Sequence, residues 1–149
     1  MKNEKKSAKP VISLQAYTIE NLQYTLDKHV SESIPVGFHL KPSVAITDDL
    51  YHGKLVLDVS LKIGSESINT ENNAESKAIL ITISAFFDVS DDLNDRDEIG
   101  RILTVNGTAI LFPYVRSTIS MVTGLDSAQT VLLPTIRTTD LFSEHSIEI

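Results

Sequence analysis

The sequence predicts an α+β fold, a four-stranded antiparallel sheet followed by a long helix and a short C-terminal helix. Three observations carry that prediction. Apolar residues alternate with polar ones through four separate segments in the first ninety or so positions. After Asn106-Gly107 the spacing changes, and Phe112, Val115, Ile119 and Val122 fall on one helical face. A run of strands followed by helices places helices on one face of an antiparallel sheet.

The first strand is expected within residues 11–27. Ile12, Leu14 and Ala16 share one parity, Tyr17 and Ile19 the other, so the phase slips near Thr18 and a bulge or bend is expected. Residues 28–35 read as a connection. In residues 36–46, Val36, Phe38, Leu40, Val44 and Ile46 alternate around Pro42, which belongs on an edge strand or at a break. Residues 51–63 alternate most cleanly, with Tyr51, Leu55, Leu57, Val59, Leu61 and Ile63 against Lys54, Asp58, Ser60 and Lys62. Residues 64–76 hold almost nothing apolar and read as a loop. Ile79, Ile81, Ile83, Ala85, Phe87 and Val89 then alternate again, completing a hairpin. Residues 90–98 read as an acidic turn. Pro113 suits a helix's first turn, where its missing N–H costs nothing, and Gly124 suits the position just past a helix end. Residues 125–138 form an apolar connection. Thr139 or Asp140 is expected to cap a last helix carrying Leu141 and Phe142.

The 149 residues suit one domain, predicted over residues 11–149 behind a disordered basic lead of residues 1–10. The chain has 13 basic and 20 acidic residues, net −7. The lead holds Lys2, Lys5, Lys6 and Lys9 against Glu4, which leaves 9 basic and 19 acidic residues elsewhere, or −10. A body that acidic repels nucleic acid and anionic lipid, and favours a basic segment of a protein partner. There is no cysteine, hence no disulfide, thiolate nucleophile or cysteine metal site. The lead is not followed by an apolar signal-peptide region. The longest apolar runs are about four residues, against ~20 for a spanning helix. A cytoplasmic protein is expected, and the sequon at Asn106 is then irrelevant.

Catalytic chemistry is hard to find. His29, His39, His52 and His145 stand in no metal-binding frame. The run Asp91, Asp92, Asp95, Asp97, Glu98 lacks the alternating ligands and central glycine of a calcium loop. The glycines are scattered, so no phosphate-cradling loop is expected, and Asp48-Asp49 reads as turn chemistry. Arg116 is a lone charge beside the apolar helical stripe, suited to a buried or interface salt bridge. No cofactor and no metal are expected.

The segment Leu111-Phe112-Pro113-Tyr114-Val115-Arg116-Ser117, continued by Ile119, Met121, Val122 and Gly124, resembles the helix of SecB, the protein-export chaperone family. Leu132-Leu133-Pro134 with Asp140-Leu141-Phe142, the first-strand residues Tyr17, Thr18, Leu22 and Tyr24, and Tyr51 with Leu55, Leu57 and Val59 are similar to further segments of that family. The resemblance covers roughly residues 11–143 and implies a divergent member. It implies a homotetramer, a dimer of dimers, with Tyr17, Ile19, Tyr114, Thr118 and Met121 at subunit interfaces. It implies ATP-independent holding of unfolded or precursor polypeptides in an apolar groove of Val44, Ile46, Ile79, Ile81, Ile83, Leu132, Leu133, Ile136, Leu141 and Phe142. Glu20, or Asn21 if one residue is inserted, matches one acidic position through which the family docks the SecA motor. The other acidic positions fall on Tyr24 or Thr25 and on Thr82 or Leu80, which counts against SecA docking there. Some divergent members guard an antitoxin, so a dedicated partner is the alternative to general preprotein holding. A structural oligomerisation module and a small enzyme are the remaining alternatives.

Overall fold

The computed structural model describes residues 10–63, 77–126, 131–135 and 137–141, with Leu141 described by its backbone only. Most of the predicted lead and the whole predicted 64–76 loop lie outside the described residues.

Strands β1 (Ile12–Thr25), β2 (Gly37–Ile46), β3 (His52–Ile63) and β4 (Lys77–Val89) form one antiparallel sheet in the order β1-β4-β3-β2. The predicted hairpin is β3 with β4, pairing Leu57 with Ile83 and Val59 with Ile81. Leu55, Leu57, Val59 and Leu61 on β3, and Ile79, Ile81, Ile83, Ala85, Phe87 and Val89 on β4, are buried on the face that the helices cover. Alternation with period two therefore translates directly into one core face and one outer face.

β2 is an edge strand, as Pro42 predicts, and it continues unbroken through that proline opposite Leu57. The turn into β3 is held by Asp49, whose Oδ1 accepts from the Thr47 hydroxyl at 2.5 Å and the Tyr51 N–H at 3.0 Å. These donors hold the Asp49 carboxyl below the usual range, the hydroxyl foremost. Leu50 takes φ 65°, left-handed backbone that β-turns place here at a local energetic cost.

The predicted slip in β1 is in fact two. Register shifts lie between Leu14 and Ala16 and between Ile19 and Asn21. Each shift admits one extra residue and inverts which parity faces the core. Ile12 and Leu14 oppose Val89 and Phe87, Tyr17 and Ile19 oppose Ala85 and Ile83, and Leu22 and Tyr24 oppose Ile81 and Ile79. All six side chains thus share the helix-side face, although their sequence parity changes twice.

Two expectations about connections change. Residues 28–35 contain a short helix, α1 (Lys28–Glu32), capped by the Asp27 carboxylate on the His29 N–H at 2.9 Å. The main helix begins earlier than predicted. Helix α2 (Arg96–Ile102) leads through a wider π-type turn (Leu103–Gly107) into α3 (Thr108–Thr123). Asp95 caps its start by accepting from the Asp97 N–H at 3.0 Å, and Asp97 and Glu98 lie in the first turn, where acids suit the helix dipole. Asp91 and Asp92 do form a turn, but residues 96–98 are helical.

Pro113 is therefore inside the helix, where it removes the N–H that would bond the Ala109 carbonyl. Packing outweighs that penalty: Leu111, Val115 and Ile119 are fully buried and Phe112 nearly so. Gly107 does not break the helix, and its lack of a side chain leaves room for Leu55 and Phe87 of the sheet. Gly53 likewise leaves room on β3 for Leu103. The helix ends at Thr123 as expected, but Gly124 has φ −68°, not the left-handed conformation. Helix α4 (Thr138–Leu141) starts ahead of the two predicted caps, and Asp140 sits in its first turn.

Candidate functional site

A groove of about 450 Å³ runs along the outward side of α3, walled by Leu132 and Leu133 of the segment 131–135. Pro113, Arg116, Ser117, Ser120 and Met121 contribute from the helix, Leu132 and Leu133 from the wall. The wall is anchored at its start, where the Val131 N–H donates to Thr123 Oγ1 at 2.9 Å. That hydroxyl donates in turn to the Ile119 carbonyl at 2.7 Å. Val131 and Leu133 pack against the core, while Leu132 is 77% exposed. Small Ser117 and Ser120 keep the helix surface low and open the space.

Arg116 is the charge in this groove. Its Nη1 donates to Thr135 Oγ1 at 3.3 Å across the opening. Its Nε is buried and has no hydrogen-bond partner among the described residues. The expected salt bridge is not formed there: no carboxylate pairs with Arg116 among the described residues.

A second apolar surface spans the β1 edge and α3. Tyr17, Ile19 and Leu22 lie on the helix-side face of β1 and are exposed, because β1 is the edge strand beyond the helix. Tyr114 and Met121, two turns apart on α3, are exposed as well. Thr118 differs from its expected interface neighbours. It is buried, and its hydroxyl is used up on the Tyr114 carbonyl at 2.8 Å. Glu20 is exposed, within the second register shift.

The predicted groove residues are not brought together as one set. Leu132 and Leu133 do line a groove. Ile79, Ile81 and Ile83 are instead buried in the core beneath the helix. Val44 and Ile46 are half-buried on the opposite edge strand, and Ile46 packs under α2 against Gly100 with its carbonyl held by Arg96. Ile136, Phe142 and the Leu141 side chain lie outside the described residues. Ser117 and Ser120 were not foreseen as lining residues; their three-residue spacing on one helix face was the available signal.

Below the end of α3, Asp126 accepts from the Tyr24 hydroxyl at 2.5 Å and from the Lys77 ammonium. Lys77, then Tyr24, holds the Asp126 carboxyl below the usual range. Asp126 raises Lys77 in return, and burial, followed by the bond to Asp126, raises Tyr24. These three residues pin the end of α3 to the sheet.

The outer face of the sheet holds a shallow depression that includes Asn21, His39, Lys41, Asp58, Leu80 and Thr82. Its one carboxylate, Asp58, already accepts from the Thr82 hydroxyl at 2.9 Å. His52 and Asp88 pair at 3.0 Å elsewhere on that face and are exposed. Among the described residues no group of three His, Cys, Asp or Glu is placed to hold a metal ion. No helix among them is long and apolar enough to cross a membrane.

Against solved structures, the chain aligns with a Mycobacterium tuberculosis SecB-like chaperone in complex with a ChAD peptide from the HigA1 antitoxin. The TM-score is 0.64 at 14% identity, covering 84% of this chain and 90% of that one. The chain has the SecB-like fold. A Streptococcus agalactiae protein of unknown function also matches, with TM-score 0.53 and 17% identity over 83% of this chain and 97% of that one. No protein-family model and no curated protein matches the sequence. Within the SecB-like fold of this chain, the four antiparallel strands, the long helix and the short last helix follow in the order that the sequence predicts.

Proposed function

We propose that this protein is an ATP-independent chaperone that holds an unfolded or extended polypeptide, acting in the cytoplasm as a homotetramer. The observation that carries this reading is the exposed apolar groove between α3 and residues 131–135 on a SecB-like scaffold. An open apolar channel rewards buried area in a client and demands little sequence specificity. Nothing in that process requires a nucleotide. The β1 edge with Tyr17 and Ile19, and the α3 face with Tyr114 and Met121, supply surfaces for the subunit contacts.

A second reading is a chaperone dedicated to one partner, such as an antitoxin. It draws on the antitoxin peptide bound to the Mycobacterium tuberculosis neighbour. It also draws on the neutral residues, Tyr24 or Thr25 and Thr82 or Leu80, at the positions where the resemblance to SecB would put acids for SecA docking.

Light scattering of a denatured model protein, diluted into buffer without nucleotide, tests the two. Suppression of scattering at near-stoichiometric chaperone supports general holding of export precursors. An assembled protein that leaves scattering unchanged points to a dedicated partner.

A further inference from the structure

We propose that Arg116 is the specificity-determining residue of the α3 groove, receiving the carboxylate of a single acidic residue within an otherwise apolar client segment. This rests on the reading of the groove as the client site.

A guanidinium offers five N–H donors in a planar fork that matches a carboxylate bidentately. Arg116 spends one of them on Thr135 Oγ1 at 3.3 Å, and its buried Nε has no partner among the described residues. The guanidinium as a whole is half-exposed, and its Nη2 has no partner among the described residues either, so donors remain for an anion in the groove. Around it stand the apolar Pro113, Met121, Leu132 and Leu133, with the small hydroxyls of Ser117 and Ser120. An acidic side chain between apolar neighbours matches one cation set among apolar and small polar side chains.

A second copy of the chain, seated with this same groove against itself, is a poor occupant. Residues 108–123 and 131–135 contain no Asp or Glu, so apposing the same surface would set arginine near arginine without a carboxylate. The acidic body adds a constraint of opposite sign. It repels strongly acidic chains at long range, whereas Arg116 acts within bonding distance. Together they select a segment with one carboxylate and little net negative charge.

The test is fluorescence anisotropy with the full chain and a labelled peptide bearing one Glu between leucine pairs, beside its Gln twin. The Glu peptide is expected to bind wild-type protein about tenfold tighter, the value of a charge-assisted hydrogen-bonded pair. Arg116→Gln should bind both peptides as weakly as wild type binds the Gln twin. Arg116→Lys should keep part of the preference, since it keeps the charge and loses the fork. Ser120→Glu, one helical turn away, should occupy the guanidinium and remove the preference without touching the core. Equal binding of both peptides to wild type overturns the assignment and leaves the client reading standing. Binding of neither peptide overturns both. A preference that survives Arg116→Gln and Ser120→Glu assigns it to another cation. A fall in native mass of Arg116→Gln places a second copy on Arg116 and also overturns the proposal.

Discussion

The ring of Tyr17 on β1 lies against that of Tyr114 on α3, with centroids 4.7 Å apart and planes inclined by 31°. Tyr17 reaches the helix because the first register shift in β1 turns its parity toward the core face. Both rings remain exposed, 40% for Tyr17 and 41% for Tyr114, so the pair joins strand to helix and still offers apolar surface outward. Ile19 and Leu22 extend that surface along the strand, and Met121 extends it along the helix.

If this surface joins subunits, Met121→Asp should weaken association by about tenfold or more, the scale of a charge placed in an apolar contact. Native mass spectrometry across a dilution series reads this directly. Met121 is 66% exposed, so the folded chain should survive the change, with an unaltered circular dichroism spectrum. An unchanged mass at every dilution would remove that helix face from the interface.

The helix packs closely on the sheet at Gly53. A methyl group there would come within 2.5 Å of a Leu103 methyl, and Leu103 is itself fully buried. Gly53→Ala should therefore destabilise by about 1–3 kcal/mol through overpacking, measured by urea unfolding. A stability equal to wild type would mean that Leu103 has room to move aside.

The Tyr24, Lys77 and Asp126 cluster predicts a pH dependence. The Asp126 carboxyl is depressed in the folded chain, so its contribution is present above the unfolded carboxylate range, about pH 4, and is lost as pH falls through the lower folded value. Lys77 is raised, so its contribution is present below the ordinary lysine value and is lost as pH rises through the higher folded one. The stability difference between wild type and Asp126→Asn should be flat near neutrality and shrink at both extremes. Thermal melts of the two proteins across pH check this; a difference that persists at low pH would assign it to something other than ionisation.

Core and groove residues should separate cleanly. Ile81→Ala should cost about 2–5 kcal/mol, the usual penalty for a cavity at a fully buried position. Leu132→Ala should change stability by no more than about 0.5 kcal/mol, and Leu132→Asp should weaken peptide binding. Denaturation and anisotropy on the same variants measure both quantities.

The sheet was largely legible. β3 and β4 alternate strictly because one face packs and the other meets solvent, and that requirement acts at every second residue. Pro42 correctly marks an edge, since a central strand needs the N–H that proline lacks. The helix start was not legible. Gly100, Asn106 and Gly107 look like breakers in a local window, yet Gly107 is required by Leu55 and Phe87, which lie far away in sequence. Arg116 stands out in sequence as an isolated charge, but its contact with Thr135 does not, since it needs residues 131–135 beside α3.

The order of elements, the two faces of the sheet, the apolar stripe of α3 and the acidic balance of the body all reside in local patterns of residue type. They need no knowledge of what packs where. Burial does. Ile81 and Ile19 read alike in the sequence and lie on the same face of the sheet, yet one is buried and the other 41% exposed. The difference is that β4 runs under the helix while β1 forms the edge beyond it, and only the folded chain sets how far from that edge a residue lies.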